Sequence, residues 1–372
     1  MLSRRRFFQS AALAIGSPPI LPACAPDAGS ESYVAAVRRI WLPTDGLLGD
    51  NLWVRRELVR YAILAPSSHN TQCWKFRVEE NQITIFPDVS RRCPTVDPDD
   101  HHLFVSLGCA TENLIHAALA NGLQGVARLE AVGTGASSHA ITVTLAPTKA
   151  VRSPLFEAIS ERQCTRAEFD ATPISLRDLQ LLEQAGKGDG VRVLLLTARA
   201  AIESILDFVI TGNTAQMNDP AFVAELKTWI RFNSADAVKS GDGLYSATSG
   251  NPSGPAWLGR MLFDVLFSVE KENDKYAKQV RSSSGIAIFV SDSSDPGHWI
   301  EAGRCYERFA LQATALGIQN AFLNQPVEVA SVRPTLAAHL GIGTARPDLV
   351  VRFGRGKKMP QSLRRPLEAV LV

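Results

Sequence analysis

Apolar residues recur at helical spacing over residues 52–64, and the run stops at Ala65-Pro66-Ser67-Ser68, where proline disfavours helix in the residue before it. Trp74-Lys75-Phe76-Arg77-Val78 and Ile83-Thr84-Ile85-Phe86 alternate as strands do, and the polar residues 79–82 between them predict a hairpin. A long helical pattern over 102–123 ends at Asn121-Gly122, a suitable C-terminal stop, and residues 140–145 alternate again. This first half closes near Pro147. The second half carries helical patterns at 175–185, 199–232, 256–280 and 298–317, and strand patterns at 191–196, 285–291 and 348–353. Residues 236–255, dense in Gly, Ser, Asp and Pro, read as a loop long enough to have a function.

The two halves carry an internal repeat. Gly108-Cys109-Ala110-Thr111-Glu112-Asn113-Leu114 aligns with Gly303-Arg304-Cys305-Tyr306-Glu307-Arg308-Phe309 at an offset of 195 residues. At that offset Ala118 meets Ala313, Gly122 meets Gly317 and Gln124 meets Gln319. The two long helices read as copies of one unit.

With 372 residues, 45% apolar and 20% charged, the chain is long enough to bury a sizeable core. Its net charge of +2, with no basic run beyond the first residues, argues against a nucleic-acid partner and for a small-molecule role. Ser3-Arg4-Arg5-Arg6-Phe7-Phe8-Gln9 and the short apolar run after it resemble a twin-arginine export signal. Leu21-Pro22-Ala23-Cys24 reads either as a lipobox, with a lipid on Cys24, or as plain tail. The expectation is a periplasmic chain whose only membrane contact is that lipid, since no stretch reaches roughly 18 uninterrupted apolar residues. Residues 1–24 are then the signal and 25–50 a linker or arm.

Apart from Cys24 the cysteines are odd in number and form no C-x-x-C pair, so neither a disulfide framework nor a zinc site is indicated. His101 and His102 with Asp97, Asp99 and Asp100 read as a polar loop before a helix, with a capping Asp, rather than as a metal site. No G-x-S-x-G or G-x-G-x-x-G loop follows a strand, which leaves hydrolase and nicotinamide-domain readings without support.

Two segments, each present in one half alone, carry a family resemblance. Ala65-Pro66-Ser67-Ser68-His69-Asn70-Thr71-Gln72-Cys73-Trp74 resembles the P-S-x-x-N-x-Q-P-W segment of the nitroreductase-like FMN flavoproteins, with Cys73 in place of the usual proline. Glu161-Arg162-Gln163-Cys164-Thr165-Arg166 resembles that family's R-x-[ST]-x-R start, with the hydroxyl residue displaced by one. Arginine forks and a hydroxyl suit a phosphate dianion, and Ser and Asn side chains suit a pyrimidine edge. Arg352-Phe353-Gly354 and Gln361-Ser362-Leu363-Arg364-Arg365-Pro366 resemble the family's closing strand and basic tail.

The resemblance implies an α+β nitroreductase-like fold: two tandem degenerate repeats, 51–147 and 148–372, forming an intramolecular pseudo-dimer that is monomeric as a fused pair. It implies one FMN between them, bound by Pro66, Ser67, Ser68, Asn70, Gln72, Arg162, Thr165 and Arg166, and by one of Arg364 and Arg365 at the phosphate. Asn324 and Gln325 are expected at the reactive edge of the flavin, where the family often has an acidic residue and Gly. The implied activity is two-electron transfer, as hydride from flavin N5, to or from a small organic acceptor such as a quinone-like or nitro compound; no catalytic side chain and no metal is named. Residues 213–259 fall where tandem relatives carry a lid-like insertion. The rival reading is an FMN-sequestering protein whose lid blocks turnover.

Overall fold

The computed structural model describes residues 31–43, 51–133, 139–251 and 253–372. The arginines of the export signal, Cys24 and much of the expected arm lie outside the described residues. Within that arm, Tyr33–Trp41 form helix α1, capped by the Ser32 side chain accepting from the Ala35 N–H. The arm is thus anchored rather than wholly a linker: the Tyr33 hydroxyl donates to the Gln361 carbonyl at 2.7 Å and the Trp41 indole N–H to the Ser362 carbonyl at 2.9 Å.

The first half runs α2 (Asn51–Ala62), β1 (Trp74–Val78), β2 (Gln82–Pro87), α3 (His101–Ala120), β3 (Leu123–Ala131) and β4 (His139–Pro147), and the short α4 (Pro154–Ala158) follows it. Its strands form an antiparallel sheet in the order β1-β2-β4-β3. Strand β3 went unread in the sequence because its outer residues alternate poorly and most are exposed.

The second half runs α5 (Leu176–Ala185), β5 (Val191–Leu196), α6 (Arg199–Met217), α7 (Pro220–Trp229), β6 (Ile230–Arg231), α8 (Ser234–Ser240), β7 (Leu244–Tyr245), α9 (Ala256–Leu266), α10 (Val269–Arg281), β8 (Gly285–Ser291), α11 (Pro296–Ala315), β9 (Gln319–Phe322), α12 (Gln325–Glu328), α13 (Arg333–His339) and β10 (Arg346–Gly354). Its antiparallel sheet has the order β5-β8-β10-β9. Two expected helices are each broken. The 199–232 pattern stops before Pro220, which cannot donate within a helix, and Asp219 caps the new start by accepting from the Ala221 N–H. The 256–280 pattern breaks at Ser268, whose side chain accepts from the Lys271 N–H. The expected loop 236–255 contains most of α8 and all of β7.

The 195-residue offset recurs in the backbone. Helices α3 and α11 are both 20 residues long, with Asp100 and Asp295 at their N-caps. Gly122 and Gly317 follow them with φ of 73° and 69°, a left-handed turn that favours glycine. The two helices pack face to face through glycine: a Cβ on Gly108 would collide with the Ile300 carbonyl, and one on Gly303 with the Val105 carbonyl. By length and hydropathy α3 could cross a membrane, but 17 of its 20 residues are buried inside the protein, which makes it a core helix.

Each sheet also gains an edge partner from outside its own strands. The chain leaving the first half joins the second sheet, where the Thr165 N–H donates to the Asn320 carbonyl at 2.8 Å. The C-terminal tail returns to β1, where the Phe76 N–H donates to the Val370 carbonyl at 2.8 Å and the Val372 N–H to the Phe76 carbonyl at 3.0 Å.

Candidate functional site

Helix α3 turns His102, Val105, Ser106 and Cys109, spaced as one helix face, onto a cavity of about 230 Å3. The Pro66-Ser67-Ser68-His69 turn, Asn213, Gln216 and Met217 of α6, and Asn324, Gln325 and Glu328 line it as well. The segment after α6 adds Phe222, Leu226, Ile230 and Leu244, apolar side chains that form part of the cavity lining. Arg166, Lys275, Ser246 and Ser249 supply cationic and hydroxyl groups.

Among the described residues no carboxylate lies within ion-pair distance of Arg166. Its charge acts on the cavity instead. Burial, then Arg166 and His102, lower His69 to about 4, which leaves that imidazole neutral at pH 7. Burial also lowers Lys275, opposed by Glu272 and reinforced by Arg166. Lys275 touches Glu272 only at 3.9 Å and donates to Asn251 Oδ1 at 3.2 Å. A cavity holding two cationic side chains so weakly neutralised favours an anion. One further polar atom there lacks a partner: Gln325 Oε1 is buried without a hydrogen bond.

Six of the twelve expected binding residues line this cavity: Pro66, Ser67, Ser68, Arg166, Asn324 and Gln325. The other six are not among its lining residues, and each has other work. Asn70 donates to the Gly243 and Leu363 carbonyls at 3.0 and 3.2 Å, and Gln72 to the Gly241 carbonyl at 2.9 Å, so both fasten the insertion and the tail to the turn. Their backbones both adopt a φ of 55°, in the left-handed region. Arg162 is buried against Glu307 at 3.2 Å and donates to the Leu64 carbonyl at 2.9 Å. Thr165 donates to Gln319 Oε1 at 3.0 Å. Arg364 is enclosed by carbonyls, donating to those of Ile63, Leu64 and Ala65 at the end of α2 and to Asn70 Oδ1. Arg365 contacts Asp88 at 3.7 Å and donates to the Ala369 carbonyl at 2.8 Å. The tail arginines therefore brace the turn beneath the cavity.

Sequence reading missed His69, Lys275, Tyr276 and Glu328. Lys275 and Tyr276 sit inside a helical pattern with no motif, and Glu328 follows Asn324-Gln325 by one turn, a spacing that could have drawn attention. Asp97, His101 and His102 do converge, their ligand-type atoms lying within 4.8 Å of one another. The Asp97 oxygens, however, accept from the His102 and Leu103 N–H groups at 2.9 Å each, and His101 Nε2 meets Asp348 Oδ1 at 2.9 Å. The cluster caps the positive end of α3, a poor place for a cation.

At the 195-residue offset the cavity face of α3 corresponds to Gly297, Ile300, Glu301 and Arg304. There Arg304 pairs with Glu112 and Glu301, each at 2.9 Å, and Arg308 with the same two carboxylates, each at 3.1 Å. Ion pairs stand where the first half has a cavity wall.

No family model matches the chain. Among solved structures, a nitroreductase with bound FMN from Bacteroides fragilis is 16% identical, covering 55% of this chain and 89% of its own, at a TM-score of 0.34. An FMN-dependent nitroreductase from Mycobacterium smegmatis in complex with NADPH is 13% identical, covering 55% and 88%, at 0.35. The sequence relatives reach further. A Mycobacterium tuberculosis protein named "Putative NAD(P)H nitroreductase" is 24% identical over 326 residues, 85% of this chain and 90% of its own. A second protein from the same organism, its name also beginning "Putative NAD(P)H nitroreductase", is 22% identical over 330 residues, 85% and 95%. The chain is thus similar to these relatives over most of its length, across both halves.

Proposed function

We propose that this chain is an FMN-dependent oxidoreductase, holding one FMN in the cavity and passing two electrons to or from a small organic acceptor such as a quinone-like or nitro compound. The observation that carries this reading is Arg166, a guanidinium with no ion-pair partner among the described residues, in a cavity walled by the Pro66-Ser67-Ser68 turn. The names of the sequence relatives support the same reaction class. Arg166, Lys275, Ser67 and Ser68 would hold the phosphate, and the Asn324 and Gln325 amides the polar ring edge, which gives the orphaned Gln325 Oε1 a partner. Bound FMN supplies the two-electron chemistry that side chains lack. The protein binds, orients and excludes water, the last through Phe222, Leu226, Ile230 and Leu244.

The reading of two fused degenerate halves is supported by the matched helices, their reciprocal glycine contacts and the return of the C-terminal tail to β1. The Glu301 and Arg304 ion pairs at the related position favour one FMN per chain. We further propose export by the twin-arginine route to the periplasm, with Cys24 either lipidated or part of a plain tail, and with a quinol or redox protein as the donor in that compartment rather than a nicotinamide. A second reading, sequestration without turnover, is favoured by the way Asn70 and Gln72 fasten the insertion over the cavity.

Protein purified without added cofactor tests these readings through its absorption spectrum and an anaerobic titration, first with NADPH, then with quinol analogues and last with dithionite. A flavin band that quinol analogues bleach supports the oxidoreductase. A band that only dithionite bleaches favours sequestration, and colourless protein that takes up no FMN removes both.

A further inference from the structure

Behind the cavity lies a second, polar pocket of about 10 Å3, the space of one water, bounded by Asp97, Asp99 and His101 and by Arg333 and Arg346. Two side chains, His102 and Glu328, line both spaces. The small pocket reaches solvent at Asp99, whose side chain is 40% exposed and pairs with Arg346 at 3.0 Å.

Hydrogen bonds fix how these two groups are presented. Gln216 Nε2 donates to Glu328 Oε2 at 2.6 Å, so that oxygen is an acceptor and Oε1 is the one that can carry a proton. The Val350 N–H donates to Asn324 Oδ1 at 3.0 Å, which turns the Asn324 amide N–H toward His102 Nε2 at 3.4 Å. His102 Nε2 is then an acceptor, and its proton sits on Nδ1, 3.8 Å from Asp97 Oδ1.

Two-electron reduction of a quinone to a quinol adds two electrons and two protons. If the electron pair and one proton come from the reduced cofactor, the second proton must come from the protein or from water. We propose that Glu328 donates that second proton to the acceptor oxygen, and that its carboxylate is reprotonated from solvent through the water-sized pocket beside His102 and Asp97. This rests on the proposed FMN chemistry of the same cavity.

The surroundings suit a proton carrier. Burial raises Glu328, opposed by His102 and the Gln216 bond, with Asp97 adding to the rise. Burial lowers His102, with Glu328 and Asp99 opposing and Arg346 and Arg333 reinforcing. Burial also pushes Asp97 up to about 7 against its two backbone hydrogen bonds. On the cavity side the charged or titratable neighbours are His69, Arg166, Glu272, Lys275 and Tyr276; beyond His101 stands Asp348.

The test compares FMN-loaded wild type, Glu328→Gln and His102→Asn, reduced with dithionite and mixed in stopped flow with benzoquinone or with ferricyanide, which takes electrons but no proton. Glu328→Gln should slow quinol formation by about 100-fold and remove the fall in rate with rising pH, leaving ferricyanide reduction and FMN fluorescence quenching unchanged. His102→Asn should slow quinol formation less. In cofactor-free protein, 15N-labelled histidine should show the His102 titration midpoint falling in Glu328→Gln, because the neighbouring carboxylate is gone. Equal slowing with both oxidants, or none with benzoquinone, overturns the proposal. So does an unmoved His102 midpoint, a result that stands even if no FMN binds and the oxidoreductase reading fails.

Discussion

Gly108 lies against the carbonyl of Ile300, so that a single methyl group has no room between α3 and α11. Its counterpart 195 residues on, Gly303, meets Val105 in the same way, and Val105 and Ile300 are themselves 195 residues apart. A contact in which residue and partner exchange roles is what the proposed fusion of two degenerate halves leads one to expect.

Gly108→Ala and Gly303→Ala should therefore each destabilise the protein by about 1–3 kcal/mol, after allowing for the roughly 1 kcal/mol that alanine gains in helix propensity. Denaturant unfolding measures it. Two neutral substitutions would mean the helices can separate freely, contrary to the packing seen.

Arg162→Met should cost about 3–5 kcal/mol, because it strands Glu307 in the core and loses the bond to the Leu64 carbonyl. Burial pushes Glu307 up to about 7 even with Arg162 opposing it. A carboxyl raised in the folded state favours folding below its unfolded value and loses that contribution as pH rises through the folded value. Without Arg162 the rise is greater, so the deficit should widen between pH 6 and pH 8. A deficit independent of pH would show that Glu307 does not titrate there.

Asn70→Ala and Gln72→Ala should loosen the segment after α6, since each removes a side-chain bond to Gly243 or Gly241 and leaves a carbonyl short of a donor, at about 1–3 kcal/mol. Limited trypsin digestion should then cut faster at Arg231 and Arg260, with cutting elsewhere unchanged. Were these residues ligands rather than fasteners, FMN affinity would fall with no change in cleavage.

Much of this was legible beforehand and some was not, for physical reasons. The glycine stops and matched lengths of α3 and α11 stand in the sequence as a repeat, because close helix packing demands small residues at fixed places. The Pro66-Ser67-Ser68 turn was readable for the same local reason. Asn70, Gln72, Arg162, Thr165, Arg364 and Arg365 were read as binding residues, yet none lines the cavity. Motif spacing reports that a polar residue is needed, not whether it faces a ligand or a backbone carbonyl far along the chain. Lys275 and Glu328 reach the cavity only through the folding of α10 and α12, which no local pattern announces.

Arg166→Ala should separate phosphate recognition from ring recognition. The wild type is expected to bind FMN more tightly than riboflavin, and the variant should lose about 10–100-fold in FMN affinity with riboflavin nearly unchanged. Parallel loss for both ligands would place Arg166 elsewhere than at the phosphate.

The most direct measurement of the central claim is the equivalence point when cofactor-free protein is titrated with FMN and flavin fluorescence is followed. One FMN per chain is the predicted result, with the cavity beside α3 filled and its counterpart closed by Glu301 and Arg304. Two FMN per chain, or no quenching at any concentration, would contradict the account.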